Sequence, residues 1–465
     1  MDFRTTTVAA LAADVAAART SARELTQAAL DRIEELNPRV NAFVAVDPER
    51  ALRDAAALDE RIAKGDDVGP LAGIPIGVKD LEDAAGFRTT QGSAVFADSP
   101  PATTDSALVA RLKAAGCIVL GKTNTPELGH KGDTENPLFG ATRNPWDLER
   151  SAGGSSGGSG AALAAGMVPL CTGSDGGGSI RIPAAVNGLT GMKPSLGRVP
   201  AGGPTPPGWG DLSTKGPMAR TARDTALALD AVVGPDPTDL RSLAMPDASW
   251  SRSLDDLNAP MRVGWSPTLG YAQVDSEVAA VCEAAVRRLE ALGAEIVEID
   301  PVFDADPAMP WITLAMGGNE RALGHLRDTP DWERLDPGHR MLMDMFGRRS
   351  GVEVLAAFDA CHTANVRLVA LFHDVSLILA PTCAGQVGPP GAQGTIDGEE
   401  TPSWVAFTYP FNMTRSPAGT VCAGFTAGGL PVGLQVVGPQ HADVAVLRAL
   451  ALLEDTLAID RLAPL

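Results

Sequence analysis

Arg150 to Ser195 reads RSAGGSSGGSGAALAAGMVPLCTGSDGGGSIRIPAAVNGLTGMKPS. Two glycine-serine clusters, Gly153 to Gly160 and Gly173 to Ser179, flank an apolar run. Glycine at this density makes a flexible linker, or it lets backbone N–H groups approach a ligand at φ values closed to other residues. The linker reading fails on context. Ala161 to Leu170 reads as a buried helix and strand, and Ile180 to Pro183 resumes apolar at once, so the stretch is embedded in a core. Ser179 ends a GGGS turn in which the successive amides of Gly176, Gly177, Gly178 and Ser179 can form a nest for an oxyanion. Ser155 lies 24 positions earlier, at the mouth of the other cluster.

A nucleophilic serine needs a base. Lys79 ends the strand-like run Gly73-Ile-Pro-Ile-Gly-Val-Lys-Asp80. Desolvation there lowers a lysine from about 10.4 towards about 7–8, where it accepts a proton. A lysine snorkelling to the surface is the commoner case. Composition tilts the choice, because only seven of the 38 basic residues are lysine, all between Lys64 and Lys215. Arginine does not give up its proton. Lys122 and Lys193 are favoured by the same scarcity.

GGSSGGS, SDGGGSIRIPAA and GLTGMKPS, with GIPIGVKD upstream, closely resemble the amidase signature family. The resemblance runs from about residue 20 to 230 and recurs at GGLPVGLQVVGP, while about 240 to 400 matches poorly. It implies amide hydrolysis through a Lys–Ser–Ser triad and an acyl-enzyme, with Lys79 as base and Ser155 as bridging serine after a cis peptide. Ser179 would be the nucleophile, and Gly176, Gly177 and Gly178 would supply the oxyanion hole. It implies no cofactor and no metal. Where the family commonly has Thr-Asp-Thr-Gly-Gly-Ser, this chain has Ser174-Asp-Gly-Gly-Gly-Ser179. The extra glycine is expected to loosen the loop. Gly129 and His130 fall in a segment that, by the same resemblance, lines the acyl pocket. Esters, and carbamates, are expected side substrates.

The 465 residues, 45% apolar, provide ample core for one large α/β domain. We divide it into N-terminal helices over 1–65, a signature core over 66–235 and a variable substrate-side lobe over 300–402. The expected fold is a large mixed, mostly parallel β-sheet with helices on both faces. A net charge of −19 argues against nucleic acid or an anionic membrane as partner. The expected partner is a small-molecule amide, with the chain a monomer or homodimer. Six scattered cysteines without a CxxC read as reduced thiols. MDFRTTTVAALAADV has no basic n-region and no apolar run reaches the roughly 20 residues a bilayer needs, so a cytoplasmic address is expected.

Along the chain, Ser21 or Thr20 caps a helix stopped by Asn37-Pro38, and Asp47 opens a second helix ending at Gly65. Strand 73–79, helix 106–115 and strand 117–120 begin an α/β alternation. Strand 261–265, helix 276–292 and strand 294–299 form a βαβ unit. Residues 303–375 read as a helical lobe over the site. Gly385 to Pro402 is the most loop-like segment, with a gating role open to it. Residues 404–425 and 430–437 supply late strands, and 443–454 a closing helix.

Two motifs mislead. Gly116 to Thr123 matches a phosphate loop, but a helix precedes it and its middle reads as a strand. Gly154 to Gly158 fits a hydrolase nucleophile elbow, yet residues 144–150 do not read as the strand that should precede it. Asp175 and Arg181 read as a structural ion pair, and Asp80 and Asp83 as solvated carboxylates. Trp209, Trp311, Met316, Trp404, Phe407 and Tyr409 suit an apolar or aryl substrate group. The alternative function is the A chain of a tRNA-dependent amidotransferase, working with partner subunits. That chain typically has Ser-Ser-Leu-Asp-Gln before Gly-Pro, where this one has Trp209-Gly-Asp-Leu-Ser-Thr-Lys-Gly-Pro217.

Overall fold

In the N-terminal segment, helices start where a side chain can replace the missing turn. The structure, a computed structural model, describes residues 1–259 and 262–465. After α1 (Val8–Ala16), Ser21 and Glu24 close a reciprocal capping box that opens α2 (Ala22–Val40). α2 runs through Asn37-Pro38, where a stop was expected, and ends at Asn41 in the left-handed region. Pro38 sits in the last turn, where little helix remains for its ring to disrupt. A short strand, β1 (Phe43–Val46), then interrupts the expected all-helical N-terminus before Asp47 caps α3 (Pro48–Ala63).

The signature region supplies β2 (Pro75–Lys79), α4 (Ala107–Ala114), β3 (Ile118–Thr123), the small hairpin β4 (Arg143–Asn144) and β5 (Asp147–Ser151), and α5 (Gly157–Ala164). β6 (Leu170–Asp175), α6 (Arg181–Val186), β7 (Gly191–Lys193), β8 (Thr214–Ala219) and α7 (Ala222–Val232) complete it. β9 (Arg262–Trp265), α8 (Ser276–Ala291) and β10 (Glu295–Glu298) form the expected βαβ unit, with β9 and β10 parallel. The first residue assigned to that strand, Met261, lies outside the described residues. α9 (Ala308–Leu323), α10 (Pro337–Phe346) and α11 (Gly351–Leu371) build the lobe. β11 (Leu377–Pro381), the hairpin β12 (Thr395–Ile396) and β13 (Glu399–Glu400), α12 (Pro410–Met413), β14 (Ala418–Phe425), β15 (Pro431–Val437) and α13 (Asp443–Leu457) finish the chain. The strand expected from Trp404 begins only at Ala418, after a 3-10 turn and α12.

The strands order as β1-β3-β2-β6-β8 and β10-β9-β11-β15-β14-β7. A bridge from Thr190 to Ala219 joins the two sets at β7 and β8, so the sheet is large and mixed, with helices on both faces. Parallel pairing is confined to β2 with β3 and β6, and to β9 with β10 and β11. The remaining pairings are antiparallel, a larger share than helix–strand alternation suggests, because β14 and β15 form a hairpin and β7 and β8 meet their neighbours head-on.

The lobe has its own apolar core of Met316, Leu323, Trp332 and Met343 against Leu212 and Met413. α11 corrects one expectation. Among the described residues it is the one helix long and apolar enough to cross a membrane by length and composition, at a mean hydropathy of 1.3. It carries Glu353, Asp359 and Arg367 and is anchored through Ala364 and Leu368, which join an apolar core with Leu269, Phe303, Ile378 and Phe411. Residues 385–402 fold as a hairpin pinned by hydrogen bonds from Gly391 N–H to Asp133 and from Ser151 N–H to Gly388 O.

Candidate active site

β2 ends on Lys79, and every residue of that strand is buried. The lysine therefore enters the interior from the C-terminal end of a strand flanked by β3 and β6. Its Nζ meets three hydroxyls, those of Ser155 at 2.8 Å, Ser156 at 2.9 Å and Ser174 at 3.0 Å. Burial lowers Lys79 to about 7, against the opposing pull of Glu82 and Asp175. A neutral amine has two N–H donors and one lone pair, so three hydroxyls satisfy it completely. Ser156 Oγ also lies 3.4 Å from Ser174 O, its own acceptor, which leaves the lone pair to a donor from Ser155 or Ser174. The peptide bond from Gly154 to Ser155 is cis. The Ser155 and Ser179 hydroxyls border one cavity with no hydrogen bond between them. Ser156 N–H donates to Ser179 O at 3.2 Å and ties the two glycine clusters together.

The rival lysines are otherwise engaged. Lys122 pairs with Asp80 at 3.1 Å in the interior and donates to Glu82 O. Asp80 is thus buried and paired rather than solvated, whereas Asp83 is exposed as expected. Lys193 reaches Pro194 O and borders neither cavity described below. The phosphate-loop match dissolves, since Lys122 and Thr123 end β3. The elbow match fails for a different reason than expected. A strand, β5, does precede it, but its central Ser156 is fully buried and held by Lys79.

The loop from Gly176 to Ser179, expected to supply the oxyanion hole, is clamped rather than loose. Asp175 accepts Gly178 N–H at 2.8 Å, Ile180 N–H at 3.2 Å and two arms of Arg181. Burial alone would raise Asp175; the Arg181 guanidinium outweighs it and holds the carboxyl well below the usual range. Arg181, itself fully buried, also donates to Thr408 O, Gln435 Oε1 and Asn412 Oδ1. Trp311 Nε1 holds Gly176 O at 2.9 Å and Thr408 Oγ1 holds Gly177 O at 2.5 Å. Glycine is required here by contact. A Cβ on Gly176 would lie 2.6 Å from Trp209, one on Gly177 2.4 Å from Trp311, and one on Gly178 2.3 Å from Thr408. The amides of Gly176, Gly177 and Ser179 have no acceptor among the described residues. Gly178, expected among the oxyanion donors, has its N–H committed to Asp175.

Two cavities meet at Gly129, Ser179 and Trp209. One, about 480 Å³, runs past Ser155, Ser174 and Gly176 towards Glu82, Lys215 and Asn319. The other, about 250 Å³, is walled by His130, Ile182, Trp311, Val405 and Tyr409. Gly129 has φ +72°, and a Cβ there would lie 3.0 Å from Ser155 Oγ, so glycine lets this segment approach the serine. His130 is buried and stacks on His339 at 4.6 Å; burial and that neighbour hold it neutral, well below the ordinary imidazole range. Trp209, Trp311 and Tyr409 face the cavities as the composition suggested. Met316, Trp404 and Phe407 are packed in apolar cores instead.

A chain of buried groups that the sequence did not announce positions Trp209. Its Nε1 donates to Asn319 Oδ1 at 2.8 Å, Asn319 Nδ2 meets His339 Nε2 at 2.8 Å, and His339 Nδ1 meets Glu127 Oε2 at 3.0 Å. The members come from four distant stretches, so no local spacing betrays them. Among the described residues, no group of three or more His, Cys, Asp or Glu side chains gathers as a metal site.

A family profile described as Amidase matches residues 24–447. The chain is 39% identical over 455 residues to the acylamidase of Rhodococcus erythropolis, across 95% of this chain and 93% of that one. It is also 39% identical over 491 residues to the A-type component of the glutamyl-tRNA(Gln) amidotransferase of Salinispora arenicola (strain CNS-205), across 97% of each. Among solved structures, a bacterial aryl acylamidase of the amidase signature enzymes superimposes at a TM-score of 0.93 with 30% identity over 99% of both chains. Native peptide amidase from Stenotrophomonas maltophilia superimposes at 0.82 with 28% identity, over 99% of this chain and 98% of that one.

Proposed function

The chain belongs to the amidase signature family of amide-bond hydrolases, and from that premise we propose that it acts alone as a serine amidase through Lys79, Ser155 and Ser179. Neutral Lys79 takes the proton of Ser155 as Ser155 takes that of Ser179, and Ser179 Oγ attacks the carbonyl. The oxyanion is held by the N–H groups of Gly176, Gly177 and Ser179, with Gly178 serving the loop's own geometry. The relay returns a proton to the leaving nitrogen, the amine departs, and water repeats the attack on the acyl-Ser179 ester. Product acid and free enzyme result. Substrate binding closes the Ser155 to Ser179 hydrogen bond, as catalytic contacts commonly tighten on binding.

The observation that carries this reading is the three-hydroxyl seat of a fully buried lysine lowered to about 7, beside a cavity shared with Ser179. The aromatic walls of Trp209, Trp311 and Tyr409 favour short-acyl aryl amides, with aryl esters and carbamates as side substrates. The address proposed is the cytoplasm. A second reading, the A-type component of an amidotransferase that needs partner chains, is favoured by the identity to the Salinispora arenicola protein.

The test is amine release from short-acyl anilides and primary amides by the purified chain, beside Ser179→Ala and Lys79→Ala. Turnover by the chain alone, abolished by both changes, is expected. An inert chain that becomes active only when partner chains and an ammonia donor are supplied would favour the second reading. Full activity in Ser179→Ala would overturn the triad.

A further inference from the structure

We propose that the exposed face of α11 is the surface through which two copies of this chain pair, antiparallel, across a two-fold axis. α11 spans Gly351–Leu371 and buries only a stripe through Ala357, Ala364 and Leu368. The opposite face leaves large apolar side chains in water: Val352 is 77% exposed, Leu355 64%, Val366 54% and Val369 51%. Single exposed apolar residues are ordinary; a row of them along one helix marks an interaction surface.

The row has a pattern. Positions 352, 355, 359, 362, 366 and 369 are spaced three, four, three, four and three apart, which is the a/d seam of a two-helix contact. The spacing reads the same in both directions. A two-fold axis between residues 360 and 361 sets Val352 against Val369 of the second copy and Leu355 against its Val366. Only two residues of the seam are polar, Asp359 and His362, and the same axis sets each against the other. Neither side chain has a hydrogen-bond or salt-bridge partner among the described residues. An acid facing an imidazole at mirrored positions is the charge complementarity an isologous interface requires, because each residue must suit its mate on an identical surface. At 1.5 Å per residue the seam is about 25 Å long.

The other occupants fit less well. A bilayer surface would meet a chain of net charge −19, with no lysine on α11, and with Asp359 in the middle of the apolar row. A foreign helix gives no reason for the two polar residues of the row, Asp359 and His362, to stand at positions that mate with each other under a two-fold axis. None of the seam residues lines either cavity at Ser179, so pairing through them leaves the site open.

Sedimentation velocity of the full chain from about 1 to about 100 µM tests the proposal, because a dimer's weight-average mass must follow concentration. A dimer is expected in the wild type. The variant Leu355→Asp/Val366→Asp, at solvent-facing positions that line neither cavity, should keep anilide hydrolysis while weakening association about 100-fold or more. Asp359→His alone should weaken it, and the swap Asp359→His/His362→Asp should restore it. A wild type monomeric throughout would overturn the proposal, as would a dimer indifferent to the double aspartate. A swap no better than the single change would overturn the antiparallel register. Flotation of a monomeric chain with neutral phosphatidylcholine vesicles, lost in Leu355→Asp/Val366→Asp, would assign the face to a membrane surface instead.

Discussion

As the proposed base, Lys79 would set the pH behaviour of the site. With its value near 7 through burial, the ammonium dominates below that pH and has no lone pair for Ser155. kcat/KM for an anilide should therefore rise with pH along a limb centred near 7. Lys79→Arg, always charged, should lose about 10³-fold or more at every pH. A second prediction concerns Gly176. Gly176→Ala places a methyl 2.6 Å from Trp209 and should displace the oxyanion loop, costing about 10- to 100-fold in kcat. Trp209→Ala removes the obstacle, so the double variant should recover part of that loss, measured as a double-mutant cycle on kcat. That Lys79, Ser155 and Ser179 come together was legible, because Lys79 ends a strand-like run and both serines stand in glycine clusters; the catalytic roles proposed for them rest on the resemblance. Ser156 and Ser174 were not, since nothing in a Gly/Ser run tells one serine from the next. Asp80 was misread because its partner, Lys122, is reached only through strand pairing of β2 with β3.

At the scale of elements, the clamp of Asp175 at the end of β6 on Arg181 at the start of α6 joins parts the sequence keeps far apart. Arg181 reaches Thr408, Asn412 on α12 and Gln435 on β15. The pair was legible from its two residues; its reach was not, because contacts over 200 residues leave no periodic trace. Arg181→Met would leave Asp175 buried without a counter-charge. A loss of about 3–5 kcal/mol is expected, read as a lower urea midpoint. Helices with caps in the sequence, α2 and α3, were placed to within a few residues. β1 was lost between two strong helical patterns, and residues 385–402 looked like a loop because two-residue strands lie below the reach of alternation.

For the whole molecule, the mixed sheet was foreseeable from helix–strand alternation, but not its share of antiparallel pairs, which depends on how β7, β14 and β15 return late in the chain. The apolar face of α11 was hidden by the charges scattered through it. The loop bearing Ser179 is built from the β6 side, yet its fastenings at Thr408, Asn412 and Gln435 belong to the other half of the sheet. Neither half fixes the loop from Gly176 to Ser179 by itself. The two halves should therefore melt as one cooperative unit as far as function is concerned, with no warm, partly open form that still turns over. Residual activity after brief heating and the circular dichroism of the same samples should fall at one common temperature. An inactivation midpoint well below the unfolding midpoint would show that the fastening between the two halves opens first.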